Sequence, residues 1–350
     1  MSLKAIPTRK LGVNGPTVSA LGLGAMGMGA YYGKSDEKES LDTLTYAADR
    51  GVTFWDTADI YGNSESIIGK WFSQTCRRSE IFLATKFGSV DLSEGGDRTR
   101  PNSKPSYIRA QLQKSLDNLQ TDYIDLYYQH RVDPEVPIEV VIETLRPFVE
   151  SGKIKWIGLS EPSIATLQRA KAVKGVGEKI IAAQMEFSPF ELYVEKTGFA
   201  DAIKEAGMAI VAYSPLARGL VTGRYQSPAD FKEDDFRPML PRFSAENFPK
   251  NLEVVKQLQE IGDKYKATTS QIALAWILAE HPNFIPIPGT RSVGRLEENA
   301  HAAEIELSSE DVKAIRAVVE SAEVYGERYP EEYMPAGDCI SLSEYKGELA

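Results

Sequence analysis

Cysteine is nearly absent from this chain: Cys76 and Cys339 are the only two in 350 residues. They lie far apart and lack metal-ligand spacing, which excludes a thiolate zinc site and a disulfide framework and points to a reducing compartment, with the cytosol expected. Histidine is scarce too, at three residues. No apolar run is long enough to span a bilayer, and the opening MSLKAIPTRK lacks the apolar core of a signal peptide. Positive charge is not in excess. Fifty acidic against forty basic residues leave a net charge of −10, which argues against nucleic acid or an anionic membrane as partner while allowing a local basic site for a small anion. Low-complexity tracts, Gly/Ser linkers and solenoid-length repeats are missing as well, so residues 1–350 are read as one domain.

What is present is an ordinary globular composition, 42% hydrophobic and 26% charged, at a length that α/β barrels reach as one unit. Short apolar runs at 18–24, 52–55, 81–85, 123–129, 154–159, 180–187, 208–213 and 284–287 read as eight strands. Between them lie helical stripes: Leu41, Leu44 and Ala48 before Gly51; Ile108, Leu112, Leu116 and Leu119; Ile138, Val141, Leu145 and Val149 before Gly152. Strand, helix, strand at this spacing implies a parallel sheet with right-handed crossovers, and eight such units close into a (β/α)8 TIM barrel. Asn14-Gly15 predicts a tight turn in an N-terminal hairpin, and a helix after Ser308 runs to about Ala322. Residues 216–249 interrupt the alternation and read as a lid or binding loop, and 323–350 as an irregular acidic tail. Gly22, Gly24 and Gly27 fit GxGxxG, but a tight turn at a strand end explains them better than a dinucleotide fingerprint.

Polar residues stand at the ends of three consecutive strands: Asp56, Lys86 and His130. In a barrel those ends share the rim where catalysis occurs, and Tyr61, in DTADIYG, follows closely enough to reach it. Such a group suits general acid catalysis at a carbonyl. An ammonium beside a phenol lowers its pKa, Asp56 would keep Lys86 charged, and His130 would position the substrate oxygen. A neutral Lys86 acting through a Schiff base is disfavoured by the same carboxylate. His281 and His301, in or beside helices, have no comparable companions.

DTADIYG, LATK and DLYYQHRVDP together resemble the aldo-keto reductases, in the microbial and plant branch with GLSE and QHRVDP. The resemblance runs from about Arg9 to Glu320. It implies a barrel that uses NADPH/NADP+ on a small carbonyl substrate, with the tetrad Asp56, Tyr61, Lys86 and His130 and with Tyr61 as acid in reduction and base in oxidation. Its 2′-phosphate and adenine motif falls on Gly289, Thr290, Arg291, Arg295, Glu298 and Asn299 in IPIPGTRSVGRLEEN. Two arginines at a helix start suit a phosphate. By the same resemblance Tyr213 lies under the nicotinamide, Ser214, Pro215, Leu216, Arg218 and Gly219 line the pyrophosphate, and Gln184 and Ser160 contact the carboxamide. Gly24, Met26 and Asp56 complete the expected cofactor contacts. Glu161 departs from the family's common Asn, exchanging an amide for a group that only accepts. Met28, Tyr31 and the stretch 325–333 are expected near the substrate. A second reading is a barrel that binds NADPH with little turnover, like the potassium-channel β-subunits.

Overall fold

The structure is a computed structural model, and it describes residues 4–29, 31, 32 and 35–350. A hairpin, β1 (Thr8–Lys10) with β2 (Thr17–Ser19), precedes an eight-stranded parallel sheet. Its strands are β3 (Leu23–Gly24), β4 (Phe54–Asp56), β5 (Phe82–Phe87), β6 (Ile124–Gln129), β7 (Ile154–Ser160), β8 (Ile180–Glu186), β9 (Ala209–Tyr213) and β10 (Phe284–Pro286). Each of β3 to β10 pairs with its sequence neighbour, as repeated right-handed crossovers require. The seam between first and last strands is closed by a parallel bridge of Gly24 with Gly289 and by the Gly22 amide donating to Pro286 O at 2.9 Å. The glycines are needed there because a Cβ on Gly22 would lie 2.8 Å from Phe54 O, and one on Gly24 3.0 Å from Ile287 O. All eight expected strands are present in a (β/α)8 barrel.

Helices cover the sheet where the apolar stripes predict them, at Glu37–Arg50, Pro105–Leu119 and Ile138–Glu150 among others. Gly51 ends the first of these in the left-handed conformation, φ 85°, its amide returning to Ala47 O and Ala48 O. The C-terminal helix is Ser309–Ser321, its first turn capped by the Ser308 side chain. The hairpin turn differs from expectation. Asn14 and Gly15 do not take left-handed backbone; Gly12 does, at φ 77°, and the connection widens so that the Leu11 amide bonds Pro16 O at 2.9 Å. Packing decides this, since Leu11 and Val18 must be buried against the barrel interior. Arg9 fixes the hairpin to the barrel, donating to His281 O and Phe284 O at 2.6 and 2.7 Å and to Leu278 O. It thereby caps the carbonyl end of the helix Thr269–Glu280.

Strand alternation sets the rest. Side chains two apart face the same side, and Phe54, Ala84, Leu126, Tyr128, Ala182 and Val211 fill the interior. Two residues further along their strands, Asp56, Lys86, His130, Gln184 and Tyr213 therefore face inward one layer higher, at the carboxyl rim. Gly158 makes room in the lower layer: a Cβ there would lie 2.2 Å from the ring of buried Tyr128. We predict that Gly158→Ala lowers stability by about 1–3 kcal/mol, measured as a reduced urea midpoint; an unchanged midpoint would mean that the ring has slack.

Candidate active site

Lys86 is fully buried, and its Nζ donates to Asp56 Oδ1 at 2.5 Å and to Thr57 O at 2.7 Å. Its third donor direction meets Tyr61 Oη at 3.5 Å. Gln184 Nε2 donates to Asp56 Oδ2 at 2.8 Å, so both carboxylate oxygens are engaged. Burial pushes the Asp56 carboxyl up and the Lys86 ammonium down, and each partner's charge opposes the drift. Tyr61 and His130 meet edge to face, ring centroids 5.7 Å apart. Two close backbone approaches hold the tyrosine's loop: a Cβ on Gly29 would stand 2.0 Å from Tyr61 O, and one on Gly62, at φ 59°, 2.4 Å from Gly29 O. The expected tetrad is thus one cluster.

Its electrostatics correct one expectation. The Tyr61 phenol is pushed well above its ordinary pKa, first by burial and then by Asp56, with Arg131 opposing. The nearby ammonium does not outweigh desolvation, so Tyr61 is a protonated phenol at neutral pH. His130 is pushed well below the ordinary imidazole range by burial and by the charges of Lys86 and Arg131. It is neutral, and its buried Nδ1 has no partner among the described residues.

From this cluster a cavity of about 420 Å³ runs along the rim to Arg295 and Glu298. Gly24, Met26, Asp56, Gln184, Tyr213, Ser214, Pro215, Leu216, Arg218, Gly219, Gly289, Thr290, Arg291, Arg295, Glu298 and Asn299 all line it. Ser160 does not; it is buried, and its Oγ accepts from Arg131 at 3.3 Å. The Arg218 side chain is also engaged elsewhere, with both of its terminal nitrogens on Glu186 at 2.8 and 2.9 Å. Its backbone, at φ 54°, lies between Ala217 and Gly219 in a left-handed run of three, with Ser214 a separate left-handed residue just before it. Glu298 pairs with Arg224 and accepts from Thr268 at 2.9 Å. On the other rim, Tyr32 bridges to Asp235 in the 216–249 segment, and Arg237 packs over the Tyr32 and Tyr225 rings while pairing with Asp235. Met28 is corrected: it is fully buried in the outer core and not at the pocket. Tyr31 is 40% exposed and packs edge-on against Phe236.

Glu161 is the departure with the largest structural consequence. It is buried at φ 54°, receives Arg328 of the tail through two bonds of 2.8 and 2.7 Å, and accepts the Tyr213 hydroxyl at 2.9 Å. Burial alone would raise its pKa, but Arg328 holds it below the ordinary carboxylate range. Removing one member of such a pair costs ~3–5 kcal/mol, because the other is left buried and uncompensated. The tail is therefore anchored at the rim, and Tyr329 lies over the Arg218 guanidinium at 4.5 Å. GLSE flagged Glu161, but nothing in the sequence announced Arg328 as its partner. His281 and His301 lie elsewhere, against Glu195 at 3.0 Å and Glu304 at 3.1 Å. Among the described residues no cluster of His, Cys, Asp and Glu suits a metal ion, and no helix is long and apolar enough to cross a membrane.

Residues 20–320 match the aldo/keto reductase family. The chain is similar to aldo-keto reductase str7 of Strobilurus tenacellus, 47% identical over 332 residues that cover 92% of this chain and 95% of that protein. It is 48% identical over 330 residues to the Schizosaccharomyces pombe aldo-keto reductase yakc [NADP(+)], covering 93% and 95%. A crystal structure of the thermostable aldo-keto reductase Tm1743 with the inhibitor epalrestat superimposes at a TM-score of 0.72 and 29% identity, over 89% of this chain and 99% of that one. With the family matched over most of its length and relatives near half identity, the chain belongs to the aldo/keto reductase family.

Proposed function

We propose that this protein is an oxidoreductase that reduces aldehydes or activated ketones to alcohols with NADPH, reversibly. The observation that carries the reading is the buried cluster itself, a protonated phenol and a neutral imidazole beside a paired ammonium, opening into an elongated cleft.

The cleft fits such a cofactor on three counts. The helix Val293–His301 begins without a side-chain cap, so its first amides are available to a phosphate, and Arg291 and Arg295 line the cleft beside it. The left-handed residues Ser214, Arg218 and Gly219 all line the same cleft, where they turn a short stretch of backbone. Tyr213 lines its inner end, an aromatic face for a flat ring. The NADP(+) in the name of the fission-yeast relative agrees with a phosphate-reading site.

NADPH supplies a hydride to the carbonyl carbon when bound there. Tyr61 Oη gives its proton to the carbonyl oxygen, and the phenolate left behind is stabilised by Lys86 Nζ, whose charge Asp56 and Thr57 O maintain. His130, neutral and therefore a one-proton donor, holds the carbonyl oxygen toward Tyr61. In oxidation the same groups work in reverse, with Tyr61 as base. Residues 216–249 act as a cover over the cofactor, tied to the opposite rim through Tyr32 with Asp235 and Arg224 with Glu298.

Two substitutions test this. Tyr61→Phe removes only the proton donor and is expected to lower kcat for aldehyde reduction by about 10²–10⁴ with NADPH affinity retained, read by NADPH absorbance and fluorescence; near-native turnover refutes the role. Arg295→Ala is expected to weaken NADPH by about tenfold or more while NADH changes by less than about twofold, since hydrogen bonds to a charged phosphate are lost only in the first case. Equal losses in titrations of the two cofactors would mean that Arg295 does not read the 2′-phosphate.

A further inference from the structure

The charges at the catalytic end of the barrel do not cancel. Lys86 is paired with Asp56, Arg328 with Glu161 and Arg218 with Glu186. Arg131 is the cation left over: among the described residues no carboxylate lies within 4 Å of it. It is nevertheless held in place. Its Nη1 donates to His130 O at 3.0 Å and to Ser160 Oγ at 3.3 Å, which aims a guanidinium that immediately follows the imidazole facing the carbonyl. Nε and Nη2 have no partner among the described residues, yet neither is among the buried unpartnered atoms, so neither is fully sealed from solvent although the side chain is mostly buried. The charge is felt by Tyr61, Lys86 and His130, by Tyr213 and Tyr329, and by Glu161, the carboxylate that Arg328 already pairs. Arg131 therefore stands directly beside His130, tied to Ser160 at the catalytic end of the barrel.

A fixed guanidinium with two adjacent unpartnered donor nitrogens matches the two oxygens of a carboxylate, and a largely buried cation that shares Glu161 with Arg328 and has no ion-pair contact of its own is stabilised by gaining one. We propose that Arg131 is a specificity-determining residue that selects carbonyl substrates bearing a carboxylate within a few bonds of the carbonyl carbon, such as 2-oxo acids and ortho-carboxylated aromatic aldehydes. This deepens the carbonyl-reductase reading and rests on it. Arg131 takes no part in bond making: the carbonyl gains hydride and proton as before, and the carboxylate passes unchanged into the hydroxy acid. The anion places the carbonyl oxygen beside His130 and Tyr61, so the gain appears in kcat/KM.

The experiment compares phenylglyoxylate and 2-carboxybenzaldehyde with their methyl esters, at saturating NADPH, for native protein, Arg131→Met and Arg131→Lys. Far-UV circular dichroism and NADPH titration of each protein accompany the rates. The quantity read is the acid-over-ester ratio of kcat/KM. It is expected to fall by about tenfold or more in Arg131→Met and to be partly restored in Arg131→Lys, which keeps the charge but loses the planar fork. Equal losses on acid and ester would overturn the proposal and leave Arg131 as a buttress of His130. Loss on every substrate together with weakened NADPH would also overturn it, assigning the guanidinium to the cofactor. A native protein that reduces the esters as well as the acids overturns the inference alone, whereas absence of turnover on all four probes by native, NADPH-binding protein counts against the carbonyl-reductase reading beneath it.

Discussion

The contact between Lys86 Nζ and Asp56 Oδ1, 2.5 Å long and shut away from solvent, constrains everything built around it. An isolated ammonium in such a place would lose its proton, and an isolated carboxylate would gain one. Together they stay charged only if the remaining hydrogen-bonding positions are also filled, and they are, by Thr57 O and by the Gln184 amide. That requirement fixes strands β4, β5 and β8 relative to each other at the rim. It also fixes Tyr61, whose loop is pressed between Gly29 and Gly62 and whose hydroxyl meets the ammonium at 3.5 Å.

A second layer of buried charge extends the same logic outward. Glu161 directly follows β7 and Glu186 ends the adjacent β8, and the cations that neutralise them come from remote parts of the chain: Arg218 opens the long segment after β9, and Arg328 belongs to the tail. Each pair converts a mobile-looking stretch of sequence into a wall of the site. Buried pairs are poor sources of net stability compared with well-packed apolar groups. What they provide here is registration, since a tail tied by Arg328 carries Tyr329 to the Arg218 guanidinium at the rim.

The eight strands were readable because each is a short apolar run bounded by turns, and period-two alternation then placed Asp56, Lys86 and His130 on one rim. Local patterns sufficed for those. The hairpin turn was not readable, because Asn14-Gly15 is favourable locally but the burial of Leu11 and Val18 favours a wider connection turned at Gly12. Met28 was misassigned since proximity to the glycine-rich strand end says nothing about which face of the following turn is buried. The direction of the Tyr61 shift was missed for a related reason. Sequence shows that an ammonium is near, but the depth of burial that outweighs it is a property of the folded barrel. Long-range ion pairs such as Arg328 with Glu161, separated by most of the C-terminal half, leave no local trace at all.

Desolvation and the Lys86–Asp56 pair keep Tyr61 a neutral acid and His130 a neutral donor across the physiological range. The most direct measurement is the pH dependence of kcat/KM for aldehyde reduction by the native protein at saturating NADPH. A phenol raised above its ordinary pKa keeps its proton until strongly alkaline pH, and an imidazole lowered below its ordinary pKa stays neutral well into the acid range. The expected profile is flat between about pH 6 and 8 with loss only on the alkaline side; a limb centred near the ordinary histidine pKa of about 6.5, or an alkaline fall beginning near neutrality, would mean that one of the two groups titrates as if exposed.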